Sequence, residues 1–152
     1  MKSKIEIRQA KIEDLEQWWD MEISRDPGNA KSHEYYKKAF IDDNKTGKRI
    51  TFYAWDGDVI VGQGSVFHNN GRIEINKLEL EPEYRGKGIS TQIVKYLEKF
   101  AKSKGIKEIF IGVEPSEIRN MQIYFHWGYT NFVCIEHDER ENYSFIVYSK
   151  ML

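Results

Sequence analysis

The chain has a single cysteine, Cys134, in 152 residues, so no disulfide can form within it. It has three prolines and no low-complexity tract or internal repeat. No apolar run approaches the roughly 20 residues that a bilayer-spanning helix needs. The opening stretch Lys4-Ile5-Glu6-Ile7-Arg8 alternates charged and apolar side chains, which is not the pattern of a signal peptide. These absences predict no membrane association, and a cytoplasmic location is then the default. Charge of one sign is missing too. The 23 Lys and Arg stand against 24 Asp and Glu, for a formal net charge of −1. A general nucleic-acid binder carries a basic surplus, so no nucleic-acid partner is expected. The four histidines, His33, His68, His126 and His137, lack metal-ligand spacing, and no metal is expected. Two nucleotide-binding signatures fail as well. A Walker A loop needs glycine where Glu81 stands and Ser or Thr where Ile89 follows Gly88; a G-x-G-x-x-G run is absent.

Aromatic residues are plentiful, with four Trp, nine Tyr and eight Phe. They suit a deep core, and the length suits one domain over residues 1–152. Residues 4–8 read as a strand. Leu15, Trp18 and Trp19 form the apolar stripe of a helix over 12–23. Asp26-Pro27-Gly28-Asn29 is a turn signal. Ser32 is a candidate N-cap for a second helix carrying Tyr35, Tyr36, Ala39 and Phe40, broken over 44–48. Three strands follow, over 50–55, 59–67 and 72–81, with turns at Asp56-Gly57-Asp58 and Asn69-Asn70-Gly71. Gly62 and Gly64 mark a bulge or a close approach. Residues 107–113 make a short, almost continuously apolar strand, as in a sheet interior. A helix is predicted from Pro115-Ser116 to Trp127, ended by Gly128. Residues 129–137 and 143–150 read as an antiparallel pair.

Between the third and fourth of these strands lies the stretch with the strongest chemical content. Pro82 weakens strand pairing. Gly86 and Gly88 lack Cβ atoms and let the backbone turn close to a ligand. Ile89, Ile93, Leu97 and Phe100 then share one helical face. Unpaired N–H groups and the dipole at a helix start favour an anion, so residues 85–91 are read as a phosphate cradle. The strand, helix and strand from 72 to 113 form a βαβ unit with parallel strands.

Arg85-Gly86-Lys87-Gly88-Ile89-Ser90 resembles the Gln/Arg-x-x-Gly-x-Gly/Ala loop of the GCN5-related N-acetyltransferase (GNAT) superfamily, departing from it only at Ser90. Tyr124-Phe125-His126-Trp127-Gly128-Tyr129 is similar to the end of the superfamily's second motif. There Glu117 stands where Asn is usual, and Asn120 where Ala is usual. The resemblance covers nearly the whole chain. It implies a mixed α+β fold, with a mostly antiparallel central sheet of about six or seven strands flanked by about four helices. It implies acetyl-CoA as cosubstrate and transfer of the acetyl group to a primary amine of a small molecule or protein, so a small-molecule or peptide amine as partner, by direct attack in a ternary complex. The alternatives are a non-catalytic acyl-CoA-binding module and a transferase of a longer acyl group. A monomer or homodimer is expected.

The resemblance also assigns residues. The CoA pyrophosphate would lie on the amides of Arg85, Gly86, Lys87, Gly88, Ile89 and Ser90, with the Thr91 hydroxyl. The pantetheine arm would run along the backbone of Leu78, Glu79 and Leu80, with a backbone N–H near Leu78 polarising the acetyl carbonyl. Asn120 would contact the cofactor. Tyr124 matches the general acid that protonates the departing thiolate, against the plainer reading of a core tyrosine. Glu74 takes the position of a catalytic glutamate and is the candidate base, against the plainer reading of a solvated strand residue. Glu79 is the weaker candidate, being on the opposite face of the strand unless a bulge intervenes. Trp18, Trp19, Tyr35 and Tyr36 lie where the superfamily shapes its acceptor site. Asp20, Glu22 and Asp26 have two readings, attraction of a cationic amine or a solvated helix face. His68, at a strand end, is read as a turn residue that could reach the cleft, and Cys134 as a packing residue.

Overall fold

The computed structural model of the protein describes residues 4–152. Seven strands form one sheet: β1 (Ile5–Gln9), β2 (Arg49–Asp56), β3 (Val59–Asn69), β4 (Arg72–Leu80), β5 (Glu108–Val113), β6 (Asn131–Asp138) and β7 (Tyr143–Met151). Their order is β1-β2-β3-β4-β5-β7-β6. Four helices accompany them: α1 (Ile12–Arg25), α2 (Ala30–Thr46), α3 (Ile89–Ser103) and α4 (Ile118–His126). This is a mixed α+β fold, antiparallel at every strand pair except β4 with β5. The expected parallel βαβ unit is that exception. The predicted closing hairpin is also present, but β7 inserts between β5 and β6.

The two sheet faces carry separate cores. On one, Ile89, Ile93, Val94, Leu97 and Ala101 of α3 pack on Phe52, Ala54, Val61, Val66, Ile73 and Ile75. The predicted apolar face of α3 is this surface. On the other, Leu15, Trp18 and Trp19 of α1 and Phe40 and Ile41 of α2 cover Tyr53, Trp55 and Ile60. Trp18 stacks on Tyr53 with ring centroids 5.8 Å apart.

Strand β4 changes its parity part-way along. Ile73 and Ile75 face α3, and so do Leu78 and Leu80. The switch needs one extra residue, and the register shows it. Ser65 opposes Asn76 while Gln63 opposes Glu79, so Lys77 and Leu78 together face Gly64. Lys77 has φ +55°, a left-handed conformation that a lysine adopts only under the constraint of its surroundings. Beyond Ile75, β4 also leaves β5. The two strands pair only at Glu74 with Phe110 and Ile75 with Ile111.

The bulge relies on glycine in the neighbouring strand. A methyl at Gly64 would lie 2.6 Å from Ile93 Cγ2 and 3.2 Å from Leu97 Cδ1, and at Gly62 it would collide with Leu80. Both glycines therefore mark close approach of α3 and β4 to β3, and the bulge itself lies on β4. Local boundaries differ from the sequence reading for local reasons. Helix α2 starts at Ala30, directly out of a short 3-10 turn at Pro27–Asn29, so Ser32 is inside it rather than at its cap. It passes through Asn44, whose side chain donates to the Phe40 carbonyl at 2.9 Å, and ends at the left-handed Gly47. Helix α4 begins at Ile118, because Glu114, Pro115 and Ser116 form a turn closed by the Glu117 N–H on the Glu114 carbonyl at 2.9 Å.

Gly64→Ala should lower the free energy of unfolding by about 1–3 kcal/mol, the range for overpacking a core. Urea denaturation reads it; an unchanged midpoint would mean that α3 can back away from β3 without loss.

Candidate active site

Two clefts open where β4 and β5 part. The first lies at the start of α3. Gly86 and Gly88 have φ +75° and +80°, and α3 begins at Ile89 with no capping side chain. The Gly88 carbonyl accepts the Gln92 N–H at 3.2 Å. Among the described residues, no acceptor takes the N–H groups of residues 86–91. Six adjacent donors at a positive helix end are a cradle for an anion. The Arg85 N–H is not one of them, because it donates to the Pro82 carbonyl at 3.3 Å. The cradle thus starts one residue later than the sequence suggests. Lys87 Nζ lies 5.4 Å from the centre of the Tyr84 ring, and the Tyr84 hydroxyl donates to Asp56 at 2.6 Å. Thr91 Oγ1 accepts the Trp127 indole N–H at 3.1 Å, which ties α4 to the mouth of the cradle and leaves the hydroxyl hydrogen available. A cleft of about 470 Å³ runs from Leu80, Gly86, Gly88, Ile89, Ser90 and Thr91 to Arg119, Gln122, Ile123, His126 and Trp127 of α4.

The second cleft, about 560 Å³, occupies the gap between the strand ends. Residues 74–79 form one wall; Ile111, Gly112, Val113, Glu114, Glu117, Asn120, Tyr124, Tyr143 and Phe145 form the rest. Tyr124 stacks on Trp127 with centroids 5.7 Å apart, and among the described residues its hydroxyl has no hydrogen-bond partner. Burial, reinforced by the charge of Glu117, pushes its pKa above the usual tyrosine value, so it carries its proton at neutral pH. Asn120 donates to Glu117 at 3.3 Å, a bond that turns its amide towards its own helix.

The bulge decides how the carboxylates of β4 are arranged. Glu74, Asn76 and Glu79 share the face that α1 and α2 cover, which is the parity that a bulge permits. Asn76 accepts from Arg49, Glu79 from Gln63 Nε2 at 2.9 Å. Arg49 is buried between Phe40 and Phe67, and desolvation lowers its pKa to about 10, still charged at neutral pH. Glu74 accepts from Asn69 at 3.3 Å and pairs with Arg72 at 3.0 Å; Arg72 also pairs with Glu136. Burial raises the Glu74 pKa, against the pull of Asn69 and Arg72.

The sequence profile of the Acetyltransferase (GNAT) family matches residues 12–129. The chain belongs to that family. A curated relative, the uncharacterized N-acetyltransferase YobR of Bacillus subtilis (strain 168), is 24% identical over 113 residues. The match covers 74% of this chain and 45% of that relative's length, so the chain spans about half of it. Among solved structures, an N-acetyltransferase from Staphylococcus aureus Mu50 superposes with TM-score 0.75 at 17% identity, covering 98% of this chain and 99% of that one. A GNAT family acetyltransferase from Elizabethkingia anophelis with acetyl-CoA bound gives TM-score 0.68 at 18% identity, with 99% and 100% coverage. At such identities the structures establish that this GNAT chain shares their fold.

The GNAT fold brings Glu74, Leu78, Glu79, Asn120 and Tyr124 to one cleft. It brings Leu80, Gly86, Gly88, Ile89, Ser90 and Thr91 to the other. His68 is elsewhere. It borders a separate cavity of about 350 Å³ with Ile50, Val66, Phe100 and Lys104, beneath the far end of α3. Trp18 and Trp19 are core residues, while Tyr35 and Tyr36 point to solvent and pack on each other. Arg119, Gln122, Ile123 and His126 were missed, although their spacing is that of one helical face. Tyr143 and Phe145 reach the cleft only because β7 pairs with β5, which no local pattern reveals. Among the described residues no helix is long and apolar enough to cross a membrane.

Gly88→Glu should abolish CoA binding in calorimetry, since it places bulk, negative charge and a strained φ inside the cradle. Retained micromolar affinity would remove the loop from the site. Glu74 offers a pH test. Its raised folded pKa means that its contribution to stability is complete below the ordinary carboxylate range and is lost as pH rises through the raised value. Glu74→Gln lacks that loss. The variant's unfolding free energy relative to the native protein should therefore rise between about pH 4 and about pH 8. A flat or falling difference would show that Arg72 and Asn69 outweigh burial.

Proposed function

We propose that the protein is an acetyl-CoA-dependent N-acetyltransferase, with residues 1–152 acting as one catalytic unit on a primary amine. The observation that carries this reading is the pairing of two features along one strand end. Unclaimed amides of residues 86–91 lie at one cleft, and the unpartnered, protonated Tyr124 hydroxyl lies at the next. The amide row, with Arg119 and His126 facing it, fits a pyrophosphate. Arg85 would contribute its guanidinium rather than its amide. The backbone of residues 78–80, free of β5, offers a rail for an extended pantetheine arm.

Acetyl-CoA, when bound, supplies the thioester that the amine attacks and the thiolate that leaves. A backbone N–H near Leu78 would donate to the carbonyl oxygen as negative charge grows there. Glu74, with a pKa raised towards neutrality, would take the amine proton directly or through water. Tyr124 would deliver the proton of its Oη to the departing sulfur. Asn120 would orient Glu117 at the cleft wall.

The test is release of CoA from acetyl-CoA across a panel of amines. Turnover of at least one is expected; CoA binding without turnover of any amine would leave a binding module. Tyr124→Phe should lower kcat by roughly 10²-fold, the low end for acid–base catalysis. An unchanged kcat at neutral pH would exclude Tyr124 from proton delivery.

A further inference from the structure

The acceptor side of the cleft holds a polar row beneath α1. Tyr53, Gln63 and Glu79 are register neighbours across β2, β3 and β4. Trp18 stacks on the first of them, and Glu22 follows Trp18 by one helical turn on α1. Arg25 bridges Glu22 to Glu81, two residues beyond Glu79, and burial and then the charge of Glu79 raise the Glu22 pKa. Glu81 and Asp26 stand close by. One cation and one imidazole face the group. Arg25 lies 2.7 Å from Glu81 and 3.5 Å from Glu22, on the exposed rim, and His33 lies 3.0 Å from Asp26. Carboxylates outnumber cations, and neither Arg25 nor His33 bonds Glu79.

An acidic cluster alone is commonly a solvated face. Here a second feature points inward. Gln63 is 2% exposed, and its Nε2 donates to Glu79, which holds the whole amide head at the cluster. Its Oε1 is buried and accepts no hydrogen from the described residues, and the Tyr53 hydroxyl is orphaned in the same way. A buried acceptor without a donor is costly. Gln63 Oε1 lacks a donor, and an acceptor beside carboxylates selects an ammonium group, with three N–H donors and a positive charge, while the Tyr53 hydroxyl can accept as well as donate.

We propose that the preferred acceptor is an alkyl diamine or polyamine, whose second ammonium is held by Glu22, Glu79 and Gln63 Oε1 while the first lies at the thioester. Glu79 belongs both to this anchor and to the wall of the cleft that holds Tyr124, so one extended cation reaches both. The proposal rests on the acetyltransferase reading, and its test separates the two.

Matched probes of equal chain length, 1,4-diaminobutane and butylamine, differ only in the second ammonium. The native protein should favour the diamine in kcat/KM by about tenfold or more, the worth of one charge-assisted hydrogen bond. Glu22→Gln should bring that ratio to near one, through KM, and Glu22→Lys, which supplies its own ammonium, should reverse it. The same amines are titrated calorimetrically into the CoA-saturated and CoA-free protein. If no amine turns over but the diamine binds and Glu22→Gln loses it, the anchor stands and the acetyltransferase reading falls. Equal kcat/KM for both probes, or no calorimetric preference for the diamine, overturns the anchor. Thermal melting of each variant identifies any that fail to fold, and the native protein's preference between the probes decides in that case.

Discussion

One extra residue in β4 organises the molecule. With Lys77 held at φ +55° opposite Gly64, the strand turns its apolar side chains back towards α3 and bends away from β5. Without the bulge, Leu78 and Leu80 would face α1 and α2, Glu79 would be driven into the α3 core, and the gap would close. A strained lysine persists because three constraints enforce it. Gly64 leaves room for Leu78 and α3, Leu78 and Leu80 are held in the α3 cluster, and Asn76 and Glu79 are held by Arg49 and Gln63 on the other side. The strain lies where the backbone leaves its partner and borders the cleft, and functional sites are where such conformations concentrate.

Electrostatics follow from that geometry. The cradle cleft presents amides, the guanidinium of Arg119 and the imidazole of His126; the cleft at the strand end presents Glu74, Glu79, Glu114 and Glu117. The near-neutral total charge conceals this separation, because positive and negative groups are sorted by position rather than by number. A phosphate-rich group and a cationic group would each find its complement at opposite ends of one groove.

Much of the fold was legible because it rests on local periodicity. The alternation of residues 4–8, the stripe Leu15, Trp18 and Trp19, and the face Ile89, Ile93 and Leu97 each has a single sensible burial. The cradle was legible because Gly86 and Gly88 announce backbone turns. What was not legible depended on partners distant in sequence. The bulge needs Gly64 and Ile93, which lie far from Lys77 along the chain. The face of Glu79 follows from the bulge, so strand parity alone ranked it below Glu74. Cys134 looked like simple packing, yet its sulfur is 3.7 Å from Arg72 Nη1, in the same cluster as Glu136. His68 was drawn towards the cleft by its strand end, but the antiparallel run of β3 carries it to the opposite end of the sheet from the cradle.

The position of β7 imposes an order of assembly. Among the described residues the backbone of β6 pairs with the sheet only through β7, and β7 is made after β6. As a ribosome extends the chain, β1 to β4 can form their antiparallel ladder with α1 and α2 and begin to bury the tryptophans. β6 must then wait, with its backbone hydrogen-bonding groups unpaired, until the residues from Tyr143 onward emerge and separate it from β5. The half of the molecule that closes the cleft is thus assembled last, around contacts distant in sequence that form slowly. A polypeptide halted shortly before Tyr143 would have a substantially built first core and an unpaired, aggregation-prone strand beside it.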